Sequence, residues 1–304
     1  MAIVTSQKIT TYYERYKSIE VTFTKEIIQV TGLVTQQVFL KCVGDFWPCV
    51  VYASSFEGAK IVANVKSALV EKLQKANNMA SLRLCFKNSD SDSTVTFFVS
   101  TRMAGFAPYG DSKDMAMFTL QFTQRPPDDL IEIMGRLLDA NVNSVKRKDE
   151  PILITPDSVR RMKLLAREAA VFIEEAPQHC MLRALSFAGS KLVMMGDAAS
   201  LVEKESSLRL DFEEPRESFL IRGKFAHPED VEGREDLVAL VMQFDEAQVP
   251  MGYKMRINDF LSQVRVDNRS GGDNSPVPVV SKPKAVTPAP DAAHQETLDA
   301  GTST

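Results

Sequence analysis

The chain is poor in the side chains that carry catalysis and metal binding. Its 304 residues include 3 histidines, 4 cysteines and 1 tryptophan. His179 adjoins Cys180, but neighbouring residues on a strand point to opposite faces, which argues against a catalytic pair. No Cys-x-x-Cys pair, zinc-protease motif, P-loop or nucleophile elbow occurs in the sequence. We therefore expect a protein that is not an enzyme and that uses neither a metal nor a cofactor.

Two further absences narrow the class of protein. The net charge is -4, with 36 basic and 40 acidic residues, which argues against a nucleic-acid-binding protein. No apolar run approaches the roughly 20 residues that cross a bilayer, and the N-terminus lacks the pattern of a signal peptide. The four cysteines lie in apolar, strand-like runs, where buried reduced thiols are expected. These features predict a cytoplasmic protein without a membrane span.

The most informative feature present is an internal repeat. Residues 49–62 (CVVYASSFEGAKIV) and 180–193 (CMLRALSFAGSKLV) agree at seven of fourteen positions. Unrelated segments of that length would agree at roughly one position. The repeat is too long for a solenoid unit and indicates a duplicated domain. It continues in three shorter pairs: LVEK at 69–72 and 201–204, SLRL at 81–84 and 207–210, and QF at 121–122 and 243–244.

Both copies are dominated by strand-like segments. Short runs rich in β-branched and aromatic residues, separated by turn residues, predict antiparallel strands. The apolar spacing after Gly58 is ambiguous, and we expect a strand to about Val65 followed by a short helix to about Ala76. Gly105, Pro108 and Gly110 predict a loop before the last strand of the first copy. The other predicted strands lie at 20–23, 38–42, 49–52, 82–86, 94–100 and 115–122, and then at 181–185, 191–195, 207–212, 219–225 and 238–244.

Each copy is expected to close with a helix that begins at a proline, after Pro127 in the first copy and Pro250 in the second. Thr155 is expected to cap a short helix through Lys163. The predicted fold class is mainly β with α, as two tandem small β-barrels, each followed by a C-terminal helix. The predicted divisions are an N-terminal domain at 1–124, a helix and linker at 125–146, a second domain at 147–265, and a disordered tail at 266–304 that is rich in proline and lacks aromatic residues.

Residues 146–152 (KRKDEPI) and 184–189 (ALSFAG) resemble the two ligand motifs of PilZ domains. The second half of the chain is identified as a PilZ domain. The first half resembles the PilZ-like domain that precedes it in some spirochaetal proteins, and the two-domain plan resembles that of flagellar brake proteins. The resemblance covers residues 6–264. It implies six-stranded barrels, the second messenger cyclic di-GMP as ligand, and a protein partner at the flagellar motor or in a signalling assembly.

The family motifs are only partly kept. The first motif is two arginines four apart, and here Arg147 is followed by Pro151 at the second position. The second motif is Asp or Asn, any residue, Ser, any two residues and Gly. Here Ser186 and Gly189 match, while Ala184 stands at the acidic or amide position. Arginine suits this ligand because a guanidinium both forks onto phosphate and stacks on guanine.

The resemblance therefore implies ligand contacts from five residues: Arg147, its neighbours Lys146 and Lys148, Ser186 and Gly189. Proline and alanine offer no polar side-chain contact. Two lost hydrogen bonds to charged groups cost about 3–6 kcal/mol together, or roughly two to four decades of affinity. Another basic side chain that swings in would reduce this loss, and the candidates are Lys146, Lys148, Arg160 and Arg161.

The first copy keeps the Ser and Gly, as Ser55 and Gly58, beside Ala53, and has Tyr16 at the position of Arg147. The Ser and Gly thus have two interpretations. They contact the ligand, or they serve a turn in which serine bonds the local backbone and glycine adopts an angle that other residues avoid. Two functional hypotheses follow. One is a cyclic di-GMP receptor with weakened binding, and the other is an adaptor that binds protein partners without nucleotide.

Overall fold

The first half of the chain is a closed barrel, and its strands alternate buried and exposed residues. The computed structural model describes residues 6–65, 68–88, 93–196, 198–202, 204–231 and 233–270. Six antiparallel strands run in the order β3-β2-β5-β6-β7-β4, and β4 pairs with β3 to close the barrel. The short β1 pairs with the last two residues of β3. The strands are β1 (Val21–Thr22), β2 (Phe39–Cys42), β3 (Asp45–Ser54), β4 (Gly58–Asn64), β5 (Met79–Lys87), β6 (Thr94–Pro108) and β7 (Met115–Phe122).

The second half repeats this arrangement. Six strands run in the order β10-β9-β12-β13-β14-β11, and β11 pairs with β10 to close the barrel. The short β8 pairs with the last two residues of β10. Each barrel encloses its own cluster of buried apolar side chains. The predicted fold, two tandem barrels in a mainly β protein, is confirmed. The strands are β8 (Ile152–Leu153), β9 (Glu168–Ile173), β10 (Ala176–Leu185), β11 (Gly189–Met195), β12 (Glu205–Phe212), β13 (Glu217–Val231) and β14 (Arg234–Phe244).

Helices connect the two barrels. The three longest helices pack together, with the one that follows the first barrel in contact with both others. The predicted proline-started helices are confirmed, although the last one continues to Ser270, beyond the predicted division at 265. The rest of the predicted tail lies outside the described residues. The helices are α1 (Ser6–Tyr16), α2 (Lys25–Thr31), α3 (Leu69–Lys75), α4 (Asp128–Lys146), α5 (Pro156–Met162), α6 (Ala198–Leu201) and α7 (Met251–Ser270).

Local predictions were confirmed in two places, partly confirmed in a third and incomplete in a fourth. The strand and helix expected after Gly58 are β4 and α3. Thr155 caps α5, and its hydroxyl accepts a hydrogen bond from the Ser158 amide. The loop expected before β7 is present and its turn contains Gly110, but it begins later than predicted, because Gly105 and Pro108 belong to β6, where a β-bulge at Ala104 takes up the irregularity. The prediction also missed α1, α2 and β9.

The four cysteines are buried and unpaired, as predicted from their apolar surroundings. Burial raises the pKa of the Cys49 thiol to about 12 and that of the Cys180 thiol to about 11. Both thiols therefore stay protonated at neutral pH. Among the described residues, every helix is too short or too polar to cross a membrane.

Candidate ligand site on the second barrel

The linker before the second barrel and the turn between β10 and β11 lie side by side. The amide of Ala188 donates a hydrogen bond to the carbonyl of Lys148, with N and O 3.2 Å apart. Strand β8 begins at Ile152, the last residue of the first motif segment, and pairs with Ala184 and Leu185 of β10. The two segments that resemble the ligand motifs are thus neighbours in space, although 32 or more residues separate them in the sequence.

Arg147 is held by a carboxylate three residues further along the chain. Its Nε lies 2.5 Å from one Glu150 oxygen and its terminal Nη2 lies 2.8 Å from the other. Only 9% of the Arg147 side chain is exposed. The hydrogen bonds from Arg147 lower the pKa of Glu150 below its usual range. Arg265 of α7 also lies 3.8 Å from Glu150, so this carboxylate links the linker to the last helix.

The other predicted basic residues differ in their partners and in their exposure. Lys148 forms an ion pair with Glu246, which follows β14. Lys146 ends α4 and is exposed. The two possible substitutes from α5 are engaged elsewhere, since Arg160 pairs with Asp157 at 2.6 Å and the Arg161 guanidinium lies over the ring of Phe260.

Ser186 uses its hydroxyl within its own turn. The Oγ accepts hydrogen bonds from the amides of Ala188 and Gly189 and donates one to the Gly189 carbonyl. One donor and two acceptor positions are all that a hydroxyl has. In the first barrel, Ser55 accepts a hydrogen bond from the Glu57 amide at 3.1 Å. These contacts favour the turn interpretation of this serine.

Gly189 is required by close packing between strands, and the expectation of an unusual backbone angle was wrong. A Cβ built at Gly189 would lie 2.6 Å from the Met242 carbonyl oxygen, and no positive φ occurs there. A Cβ built at Gly58 would lie 2.4 Å from the Leu120 carbonyl oxygen. Such distances are well inside van der Waals contact. The same constraint in both copies shows that barrel closure demands the glycine, whatever the ligand.

The site also contains residues that the motif comparison missed. Tyr253 of α7 is fully buried, and its hydroxyl donates to the Ser186 carbonyl with the two oxygens 2.6 Å apart. Burial raises its pKa. The outer face of the neighbouring strand β11 adds Lys191, which pairs with Glu229 at 2.5 Å. Only the i, i+3 spacing of Arg147 and Glu150 could have been seen in the sequence, because the other pairs depend on the fold.

Comparison with known proteins agrees with this architecture. Residues 7–141 match the PilZN3 domain family. A protein of Treponema denticola named cyclic di-GMP binding protein is 39% identical over 276 residues, which cover 90% of this chain and 88% of that protein. Two barrels with these matches define a tandem PilZ-type protein. The chain belongs to the PilZ family, with a PilZN3 domain as its first half.

Two solved structures are also similar to this chain. The Borreliella burgdorferi PlzA protein in complex with c-di-GMP is 26% identical with a TM-score of 0.38, covering 84% of this chain and 98% of that chain. YcgR from Escherichia coli in complex with c-di-GMP is 12% identical with a TM-score of 0.28, covering 85% of this chain and 97% of that chain.

Proposed function

We propose that this chain is a non-enzymatic, cytoplasmic receptor for cyclic di-GMP that acts on a protein partner in motility or signalling. The observation that carries the proposal is the hydrogen bond between Lys148 and Ala188, because it holds the basic segment 146–148 against the turn at 186–189. The Treponema relative, which is named a cyclic di-GMP binding protein, supports the choice of ligand.

The ligand would replace carboxylates that now neutralise the basic residues. Glu150 binds Arg147 through two nitrogens, and Glu246 binds Lys148. A phosphate offers the same acceptor geometry to a guanidinium as a carboxylate does. Binding is therefore an exchange of one anion for another, which costs less than burying a new charge but leaves a smaller net gain.

This exchange would reach the last helix through Glu150. The carboxylate faces both Arg147 and Arg265 of α7. When a phosphate takes over Arg147, Glu150 is released to pair with Arg265 alone. Ligand binding then favours whichever position of α7 suits the new pair, because a ligand shifts an equilibrium only through different contacts in its two states.

An adaptor that binds protein partners without nucleotide is the second candidate function. Two observations favour it. Pro151 and Ala184 supply no polar side chain where the family motif has one, and the Ser186 hydroxyl is already saturated by its turn. Under this proposal the Arg147 and Glu150 pair is a permanent part of the linker.

Calorimetric titration of cyclic di-GMP into the full chain separates the two functions. The receptor proposal predicts saturable heat at tens of micromolar protein, with affinity at least about tenfold weaker in Arg147→Ala and in Lys148→Ala. Lys60→Ala, on the outside of the first barrel, is the matched control and keeps the parent affinity. An absence of heat with the parent supports the adaptor. If both site variants bind cyclic di-GMP as tightly as the parent does, the ligand binds elsewhere on the chain.

A further inference from the structure

An exposed row of apolar side chains runs along the outside of the first barrel. Strand β3 alternates buried and exposed residues, and its exposed positions from Phe46 to Tyr52 hold Phe46, Pro48, Val50 and Tyr52. We call these four residues the apolar stripe. Phe46 is 52% exposed, Val50 53% and Tyr52 40%. Solvent-facing positions of a strand ordinarily carry polar residues, so this row is unusual.

The apolar stripe has one exposed aromatic neighbour. Val62 of β4, which stands opposite Val50, is only 6% exposed, so the exposed row does not extend across β4. The ring of Tyr52 packs edge-on against the half-exposed ring of Tyr109, with centroids 6.3 Å apart. The apolar stripe and Tyr109 therefore form one patch. Contiguous apolar patches on a protein surface mark binding sites more often than isolated apolar residues do.

The second barrel provides an internal comparison. Strand β10 has the same length and nearly the same alternation of burial as β3. Its four corresponding exposed residues are Pro177, His179, Met181 and Arg183. A barrel of this construction therefore accepts histidine and arginine at positions 48 and 52. Folding of such a barrel therefore does not require apolar residues at these two positions of the apolar stripe.

Charge around the apolar stripe indicates what it recognises. Lys41 of β2 stands opposite Phe46, and its ammonium lies 5.3 Å from the centre of that ring. Among the described residues, Lys41 has no carboxylate within ion-pair distance, whereas Lys60 pairs with Glu20 and Lys72 with Asp45. Residues 1–124 also carry more basic than acidic side chains, although the whole chain has a net charge of -4.

We propose that the apolar stripe is the docking surface for an acidic segment of a partner protein. Aliphatic or aromatic side chains of that segment lie on Val50 and Tyr52, and its carboxylates pair with Lys41. The surface lies in the first barrel, so this inference does not depend on nucleotide binding in the second.

The test uses a random-peptide display library panned against the full chain. The test variant combines Pro48→His with Tyr52→Arg, the residues that the second barrel carries at these positions, so its barrel should fold. Lys41→Ser removes the positive charge and its aliphatic stem, and it leaves the four residues of the apolar stripe unchanged. Leu220→Ser, which removes a side chain 55% exposed on the second barrel, is the matched control. Recovered peptides are synthesised and titrated against all four proteins, and thermal melts confirm that each is folded.

The proposal predicts recovered peptides that combine carboxylates with aromatic or large aliphatic side chains. They bind the parent and the Leu220→Ser control equally, bind the double variant at least about tenfold more weakly, and bind Lys41→Ser more weakly only at low salt. Recovery of basic or neutral peptides, or equal binding by a folded double variant, overturns the proposal. Sedimentation of the parent as a dimer that the double variant abolishes also overturns it, because a second copy is then the occupant.

Discussion

Asp139 of α4 accepts a hydrogen bond from Asn258 of α7, with the carboxylate Oδ2 3.3 Å from the amide Nδ2. The other Asp139 oxygen accepts a hydrogen bond from the Tyr16 hydroxyl of α1 at 2.9 Å. One carboxylate thus joins helices from the first barrel, the connection and the second barrel. Asn143 of α4 closes the network by donating to Asp139 and to Asn258. Asn258 is 2% exposed, so these bonds are shielded from water.

Removal of this shared acceptor should destabilise the whole helical layer. Asp139→Ala leaves the buried Asn258 amide and Tyr16 hydroxyl without their acceptor, and each unsatisfied group costs about 1–3 kcal/mol. We expect the free energy of unfolding to fall by about 2–6 kcal/mol in urea denaturation. Asp139→Asn is the matched control, since it keeps one acceptor and should cost less. Equal stability of Asp139→Ala and the parent would show that water replaces the carboxylate.

Added bulk at the two barrel-closing glycines should destabilise both domains alike. Gly58→Ala and Gly189→Ala each drive a methyl group against a backbone carbonyl, and overpacking of this kind costs about 1–3 kcal/mol. Gly105→Ala is the control, because nothing lies within 4 Å of its Cβ position. The measurement is the unfolding midpoint in urea without ligand. A Gly189→Ala protein of parent stability that fails only in cyclic di-GMP binding would instead assign this glycine to the ligand.

The native thiols should be unreactive. Burial raises the pKa values of Cys42, Cys49 and Cys180, so the thiolate that reacts with a disulfide reagent is scarce at mildly alkaline pH. We expect Ellman's reagent to release almost no chromophore from the folded chain. In denaturant all four cysteines should react, which provides the internal control. Rapid reaction of one native thiol would reveal an opening of the barrel that the structure does not contain.

The pair between Arg147 and Glu150 should oppose ligand binding. Glu150→Gln removes the competing charge, and we expect the affinity for cyclic di-GMP to rise by about two- to fivefold, the range of a partly exposed ion pair. Glu20→Gln is the control, because it releases Lys60 on the first barrel without freeing Arg147. Calorimetry measures both. A lower affinity in Glu150→Gln would mean that Glu150 orients Arg147 for the ligand and does not compete with it.

The motif positions lost from the family pattern give a complementary gain-of-function test. Pro151→Arg combined with Ala184→Asp restores the second arginine and the acidic residue, and should raise the affinity for cyclic di-GMP by at least about tenfold. The double variant is compared with the parent in the same titration. No gain would show that the geometry of the linker, and not only its side chains, differs from that of family members that keep both motifs.

The repeat and the strand patterns predicted the two barrels, because period-two burial and turn residues are local signals. The α1 helix was missed because Tyr12 and Tyr16 are buried by tertiary packing, which the sequence does not show. Tyr12 packs so closely on α4 that a Cβ built at Gly135 would lie 2.4 Å from its ring. Strand β9 was missed because its sequence, EAAVFI, begins with residues that favour helices.

The candidate site was predictable only in part. Sequence motifs indicated Arg147 and Ser186 but could not show that their polar atoms are already engaged. The partner of Lys148, Glu246, lies 98 residues away in the sequence. The Ser186 hydroxyl is saturated by its own turn, which becomes visible only with backbone coordinates. Ionic and hydrogen-bond partners that depend on the closure of a barrel leave no periodic signal in one sequence.

The most direct test of the receptor proposal is one set of calorimetric titrations with cyclic di-GMP. The full chain, Arg147→Ala, Glu150→Gln and the Lys60→Ala control are measured in the same buffer and salt. The account predicts saturable binding by the parent and the control, tighter binding by Glu150→Gln, and at least about tenfold weaker binding by Arg147→Ala. Absence of binding by the parent, or the same affinity for Arg147→Ala as for the parent, would contradict it.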